Sequence, residues 1–156
     1  MKRLHIALFN LTALIMFSLS TNMFCQDKGI GIGVVLGEPT GFTSKFWLNQ
    51  VNAIDVNIGY SFVKGNGTVF LVSDYLWHKN IFTSTGERFP VHFGLGVSLR
   101  SQNNADNAFG VRGVVGIALY IKPVPIEIYM EGAGILNLNK ITLNPNIDIG
   151  GRYFFY

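Results

Sequence analysis

The 156-residue chain has one cysteine, five prolines, three histidines and few charges. A single cysteine excludes any intrachain disulfide. Charged residues make up 13% of the chain, against about 25% in an ordinary soluble domain. Beyond the N-terminus no run of 18 apolar residues occurs, and no 3.6-residue periodicity is sustained, so neither a spanning helix nor a helical bundle is written there. Disorder is excluded as well, because 49% of residues are apolar and the net charge is small. What is abundant is glycine, with 18 residues, and phenylalanine, with 13. A chain of this length and character reads as one domain.

The formal net charge is +3, but two of its contributors open the chain. Lys2 and Arg3 precede an apolar stretch from Ile6 to Leu19, interrupted by Asn10, Thr12 and Ser18. That stretch is shorter than the roughly 20 residues a spanning helix needs. A basic start, a short apolar centre and small residues after it form a secretory signal peptide. The expected organisation is a signal peptide over 1–25, cleaved after Ser20 or Cys25, and one barrel domain over 26–156. Cys25 raises the alternative of lipidation, against which Asn22-Met23-Phe24 lacks the small residues such processing favours. Without Lys2 and Arg3, ten basic and nine acidic residues remain. The basicity belongs to the leader, and nucleic acid is not an expected partner.

The remaining chain repeats a period of two. Ile54, Val56, Ile58, Tyr60 and Phe62 share one face, with Asp55, Asn57, Gly59 and Ser61 on the other. Pro90–Arg100 sets Val91, Phe93, Leu95, Val97 and Leu99 against His92, Gly94, Gly96, Ser98 and Arg100. Val111–Ile121 and a last strand from Asn146 to Phe155 repeat the pattern, and Gly29–Gly37, Thr43–Leu48, Thr68–His78 and Ile126–Ile135 complete it. Turn residues separate them, at 37–41, 49–52, 64–67, 101–107 and 122–125. The stretch from Lys79 to Phe89 is long for a turn; an alternative runs the strand through Phe82 and turns at Ser84-Thr85-Gly86. Eight evenly spaced strands predict an all-β fold, an eight-stranded antiparallel up-and-down transmembrane β-barrel.

Alternation alone leaves inside and outside undecided. A water-facing exterior would be crowded with Lys and Glu, whereas the second face here is mostly Gly, Ser, Ala and Asn. Such small residues suit the narrow interior of an eight-stranded barrel. Tyr60, Phe62, Tyr75, Trp77 and Tyr153 fall near strand ends on the apolar face, where interfacial aromatics belong. The apolar face is therefore expected to meet lipid. The inward charges are then Lys45, Asp55, Asp74, Arg100, Arg112, Glu131, Asp148 and Arg152, four of each sign. Confined charges must pair; Arg112 is expected to reach Glu131, and the interior to be plugged.

The C-terminal residues Asp148, Gly150, Tyr153 and Phe155 resemble the assembly signal of outer-membrane barrels, with Tyr156 one residue beyond it. Leu36-Gly-Glu-Pro-Thr-Gly-Phe42, Lys45-Phe-Trp-Leu48 and Asp74-Tyr-Leu-Trp-His78 resemble segments of small, largely uncharacterised bacterial outer-membrane β-barrel proteins of the OmpA-like transmembrane-domain type. The resemblance implies this fold and a bacterial outer-membrane location; the partners then expected are membrane lipid and the barrel-assembly machinery, and the expected state is a monomer. It implies no activity.

Catalytic and metal chemistry find little support. His78 and His92 share no metal-like spacing with cysteine or carboxylates. His92 and Ser98 lie about 20 Å apart along one strand, too far for a dyad. His78, beside Asp74, reads as a rim histidine. Gly29, Gly31, Gly33 and Gly37 are followed by no helix and so form no phosphate loop. No catalytic, cofactor-binding or metal site is expected. The leading function is a structural or surface-interaction role through short loops at 64–67, 101–110 and 137–146. A small-solute channel, a lipid-modifying membrane enzyme and a secreted soluble ligand-binding barrel are the alternatives.

Overall fold

The computed structural model describes residues 28–61, 68–82, 88–102, 107–121, 124–139 and 141–155. The leader, Phe62 and the turns at 64–67 and 84–86 lie outside the described residues. Eight strands follow one another: β1 (Ile30–Gly37), β2 (Thr40–Trp47), β3 (Asn52–Ser61), β4 (Thr68–Phe82), β5 (Arg88–Gln102), β6 (Ala108–Ile121), β7 (Ile126–Asn137) and β8 (Thr142–Phe155). Each pairs antiparallel with its sequence neighbour, and β1 pairs with β8, so the sheet closes without an edge. No helix among the described residues is long and apolar enough to cross a membrane.

Two local features set the β1–β2–β3 geometry. Gly37 has φ 153°, and a Cβ there would lie 2.5 Å from an Asp148 carboxylate oxygen and 2.6 Å from the Ile147 carbonyl. At the opposite end, the Asn49 side-chain oxygen accepts hydrogen bonds from the amides of Val51 and Asn52, both at 2.9 Å. That is the self-bonding turn for which asparagine is favoured.

Several strands outrun their sequence-based limits. β4 continues through Phe82, the longer alternative, leaving only residues 83–87 between it and β5. β5 continues to Gln102 and β6 begins at Ala108, which shortens the expected loop at 101–110. β8 begins at Thr142, so Pro145 lies inside it, opposite Gly134. Proline forfeits one ladder bond but fits extended backbone. The loop at 137–146 is thereby reduced to 138–141.

The register also fixes how the interior is layered. Starting at Gly31, cross-strand partners run through Lys45, Asp55, Asp74, Gly96, Arg112 and Ile135 to Asn144. Closure instead joins Gly31 to Phe154, ten residues further along β8. That offset corresponds to a strand tilt of about 40° for eight strands at ordinary strand spacing.

Alternation is fullest in β6, where every even residue from Ala108 to Tyr120 is buried and every odd one exposed. Ile, Val, Leu and Phe side chains cover the outside: Leu95 is 61% exposed, Val115 58% and Ile147 73%. Aromatics join them. Tyr60 and Trp77 are exposed, Tyr75 and Tyr153 half-exposed, and the pairs Tyr75–Trp77, Trp77–Phe93 and Tyr153–Phe155 have ring centroids within 4.8–5.7 Å. The buried apolar residues inside are few and mostly small or aromatic, among them Val35, Ala53, Val72, Leu76, Val114, Ala118, Tyr129 and Phe154. Polar and charged side chains occupy the rest.

Candidate functional site

The interior charges gather into two tiers. The lower tier, on the side of the barrel where β1 begins and β8 ends, is built on Arg152 and Lys45. Arg152 and Glu127 are cross-strand partners on β8 and β7; Lys45 and Asp55 are partners on β2 and β3. The Lys45 ammonium lies 2.7 Å from Glu127 Oε1, and Arg152 Nη1 lies 3.2 Å from Glu127 Oε2. Arg152 Nη2 closes on Asp55. Arg152 Nε and Nη2 also donate to the Thr43 hydroxyl at 2.9 and 2.7 Å, and that hydroxyl donates to Asp55 at 3.4 Å. The guanidinium lies 3.8 Å from the centre of the Tyr129 ring, and the Lys45 ammonium 4.8 Å from that of Trp47. Two cations thus meet two carboxylates, both cations also face an aromatic ring, and all four charged residues are buried.

The upper tier, nearer the β1–β2 turn, surrounds Arg112. Its Nε lies 3.4 Å from Asp74, and its Nη2 lies 3.6 Å from Glu131 and 3.7 Å from Asp148. These are ion pairs at longer range. Arg112 Nε and Nη2 have no hydrogen-bond partner, nor does either carboxylate oxygen of Asp74. Asp148 accepts from Asn146 at 2.9 Å, and Asn146 also reaches the Glu38 carbonyl at 3.4 Å. Three carboxylates here share one guanidinium. A small cavity lies against Arg112, Glu131, Asp148 and Asn57.

Asp55 and Asp74 are direct cross-strand partners. Like charges so placed repel, and each carboxylate is engaged by a different guanidinium, Asp55 by Arg152 and Asp74 by Arg112. The boundary between the tiers runs between these two aspartates.

Seven of the eight residues assigned to the interior from sequence are buried: Lys45, Asp55, Asp74, Arg112, Glu131, Asp148 and Arg152. Arg100 is half-buried near the end of β5, opposite Ala108. The structure brings Arg112 to Glu131, and it adds residues that the sequence reading missed. Glu127 is fully buried and shares its face with Tyr129 and Glu131. Its parity on β7 was the available signal, obscured by its nearness to the turn at 122–125.

The histidines need correction. His78 is buried rather than at a solvated rim, because β4 runs four residues past it. It is the direct cross-strand partner of His92, with ring centroids 5.3 Å apart. His92 is fully buried, and its Nε2 lies 2.9 Å from Glu131 Oε1. That contact crosses β6 above Gly116, where a Cβ would stand 2.4 Å from His92 Nε2 and 2.7 Å from Glu131 Cγ. Among the described residues no three His, Cys, Asp or Glu side chains converge to hold a metal ion. Asp148, Gly150, Tyr153 and Phe155 all lie on β8, the first two facing inward, Tyr153 half-exposed and Phe155 outward.

No protein-family model and no curated protein matches the chain. Among solved structures, it is similar to the N-terminal β-barrel domain of Pseudomonas aeruginosa OprF, at 12% identity and a TM-score of 0.53, covering 80% of this chain and 95% of that one. The likeness is one of fold.

Proposed function

We propose that the chain is a bacterial outer-membrane β-barrel protein with a structural or surface-interaction role, and that its interior is closed by side chains. One observation carries this reading: the barrel turns its large apolar side chains outward and its charges inward. A soluble barrel does the reverse, and soluble monomers rarely expose apolar patches beyond a few hundred Å². Hydrocarbon is the solvent for which such an exterior is stable, and Tyr60, Tyr75, Trp77 and Tyr153 supply aromatics suited to its boundary. The fold likeness to the N-terminal β-barrel domain of OprF supports the barrel architecture on which this reading rests. Outer-membrane lipid and the barrel-assembly machinery are the partners this reading requires, the latter reading the β8 residues Asp148, Gly150, Tyr153 and Phe155. No reaction is assigned, since His92 engages Glu131 rather than Ser98.

The test is outer-membrane fractionation combined with gel mobility before and after heating. A folded barrel in the outer-membrane fraction, shifting on boiling, is expected. A chain found only in the soluble periplasmic fraction, with no shift, defeats the reading. Planar-bilayer recordings separate the closed interior from the channel alternative: large, stable single-channel conductance would replace it with a pore.

A further inference from the structure

The paired histidines form a site that the proposed role does not use. His78 Nδ1 lies 3.3 Å from the carbonyl oxygen of Val51. A carbonyl only accepts, so Nδ1 carries the hydrogen. His92 Nε2 lies 2.9 Å from the Glu131 carboxylate, so there Nε2 carries it. A neutral imidazole has one N–H. The other two nitrogens, Nε2 of His78 and Nδ1 of His92, therefore hold free lone pairs. Both are buried, and neither has a hydrogen-bond partner. A second proton on either ring would bury an imidazolium whose new N–H finds no acceptor.

Metal-binding histidines likewise donate their second ring nitrogen to a carboxylate or a backbone carbonyl, which fixes the tautomer. The spacing agrees. Two imidazoles on one ion at about 2.0–2.1 Å, with a tetrahedral angle between them, place their ring centroids roughly 5 Å apart. The observed separation is 5.3 Å. Charge agrees too. The buried charged side chains are three cations, Lys45, Arg112 and Arg152, and five carboxylates, Asp55, Asp74, Glu127, Glu131 and Asp148. With neutral histidines, the formal count leaves two carboxylates without a cation of their own.

We propose that His78 and His92 bind a single divalent transition-metal ion of the zinc or copper type through these two nitrogens. The site depends on the barrel interior and not on the membrane assignment. Glu131 then acts at one remove, orienting His92, and Gly116 keeps the path between them clear.

The test uses the mature protein without a polyhistidine tag, folded in detergent micelles, stripped with chelator and titrated with Cu²⁺ and with Zn²⁺. One ion per barrel is expected, with copper held more tightly than zinc. The bound Cu²⁺ should show electron paramagnetic resonance couplings to two imidazole nitrogens. His78→Phe and His92→Phe should each weaken binding at least tenfold and together abolish it, with the heat-dependent mobility shift retained. Glu131→Gln should weaken it less, since an amide oxygen still accepts from Nε2. No saturable binding to the folded protein, or a Cu²⁺ spectrum without imidazole couplings, overturns the proposal, and both are read on the unaltered chain. So does binding that survives the double substitution; the free nitrogens are then explained by a bridging water. None of these results bears on fractionation or conductance.

Discussion

The two tiers of charge inside the barrel are built from the same residue types and differ in almost everything else. In the lower tier, Arg152 and Lys45 balance Asp55 and Glu127, contacts lie at hydrogen-bonding distance, and a threonine hydroxyl and two aromatic rings fill the remaining faces. In the upper tier, Arg112 alone stands among Asp74, Glu131 and Asp148 at 3.4–3.7 Å, with unpartnered polar atoms on both sides. Burial is nearly the same in both. What separates them is stoichiometry and geometry, which decide whether a buried ion pair offsets its desolvation. The lower tier holds the wall together; the upper tier carries an excess of one sign beside a small cavity.

Five substitutions break or sharpen this contrast, each measured by urea unfolding of the folded barrel in detergent or lipid, with gel mobility as the readout. Arg152→Met should have the largest effect, destabilising by about 3–5 kcal/mol, because it leaves Asp55 and Glu127 without their guanidinium. Gly116→Val comes next, at about 1–3 kcal/mol, since its side chain would be forced into the His92–Glu131 contact. Arg112→Met should cost less than Arg152→Met, about 1–2 kcal/mol, because it gives up long-range pairs and no hydrogen bond from Nε or Nη2, and because losing the guanidinium enlarges the adjoining cavity, where water can solvate Glu131 and Asp148. An Arg112→Met loss equal to that of Arg152→Met would abolish the distinction between the tiers. Smallest, and opposite in sign, is Asp74→Asn: removing one of three crowded carboxylates should stabilise by about 0.5–1 kcal/mol. The cross-strand neighbour Asp55→Asn should instead destabilise, and the same sign for both aspartates would show that local geometry does not govern either.

Much of this was legible in the chain. Strict alternation in β6 and in Ala53–Ser61 identified strands and faces without ambiguity, because a period of two admits one inward set. The polarity of the barrel followed from the small residues of its second face. Strand ends were harder, and for a physical reason. Pro145 and the polar residues 101–107 have turn-forming chemistry, yet neighbouring strands supply pairing that extends β8 past the proline and β5 to Gln102. Those errors then propagated inward. With β4 ended at His78, that histidine read as a rim residue; with four further residues of strand beyond it, it is interior and opposite His92. No sequence spacing announces that meeting, since the two lie 14 positions apart in the chain. The division into tiers was likewise hidden. It depends on the ten-residue offset at closure, which sets which inward residue stands level with which.

That closure has a consequence for the order of events during folding. β8 is the last strand of the ring, and it alone brings Arg152 to carboxylates on β3 and β7 and to the β2 threonine. The seam between β1 and β8, whose partners lie up to 125 residues apart in sequence, is where chain entropy most opposes pairing. Docking β8 in the right register discharges that strain in one step, whereas a slip by one residue would turn Arg152 outward, into the apolar exterior. A ring closed one residue out of register is therefore the less stable one, by the cost of turning that guanidinium toward the apolar exterior.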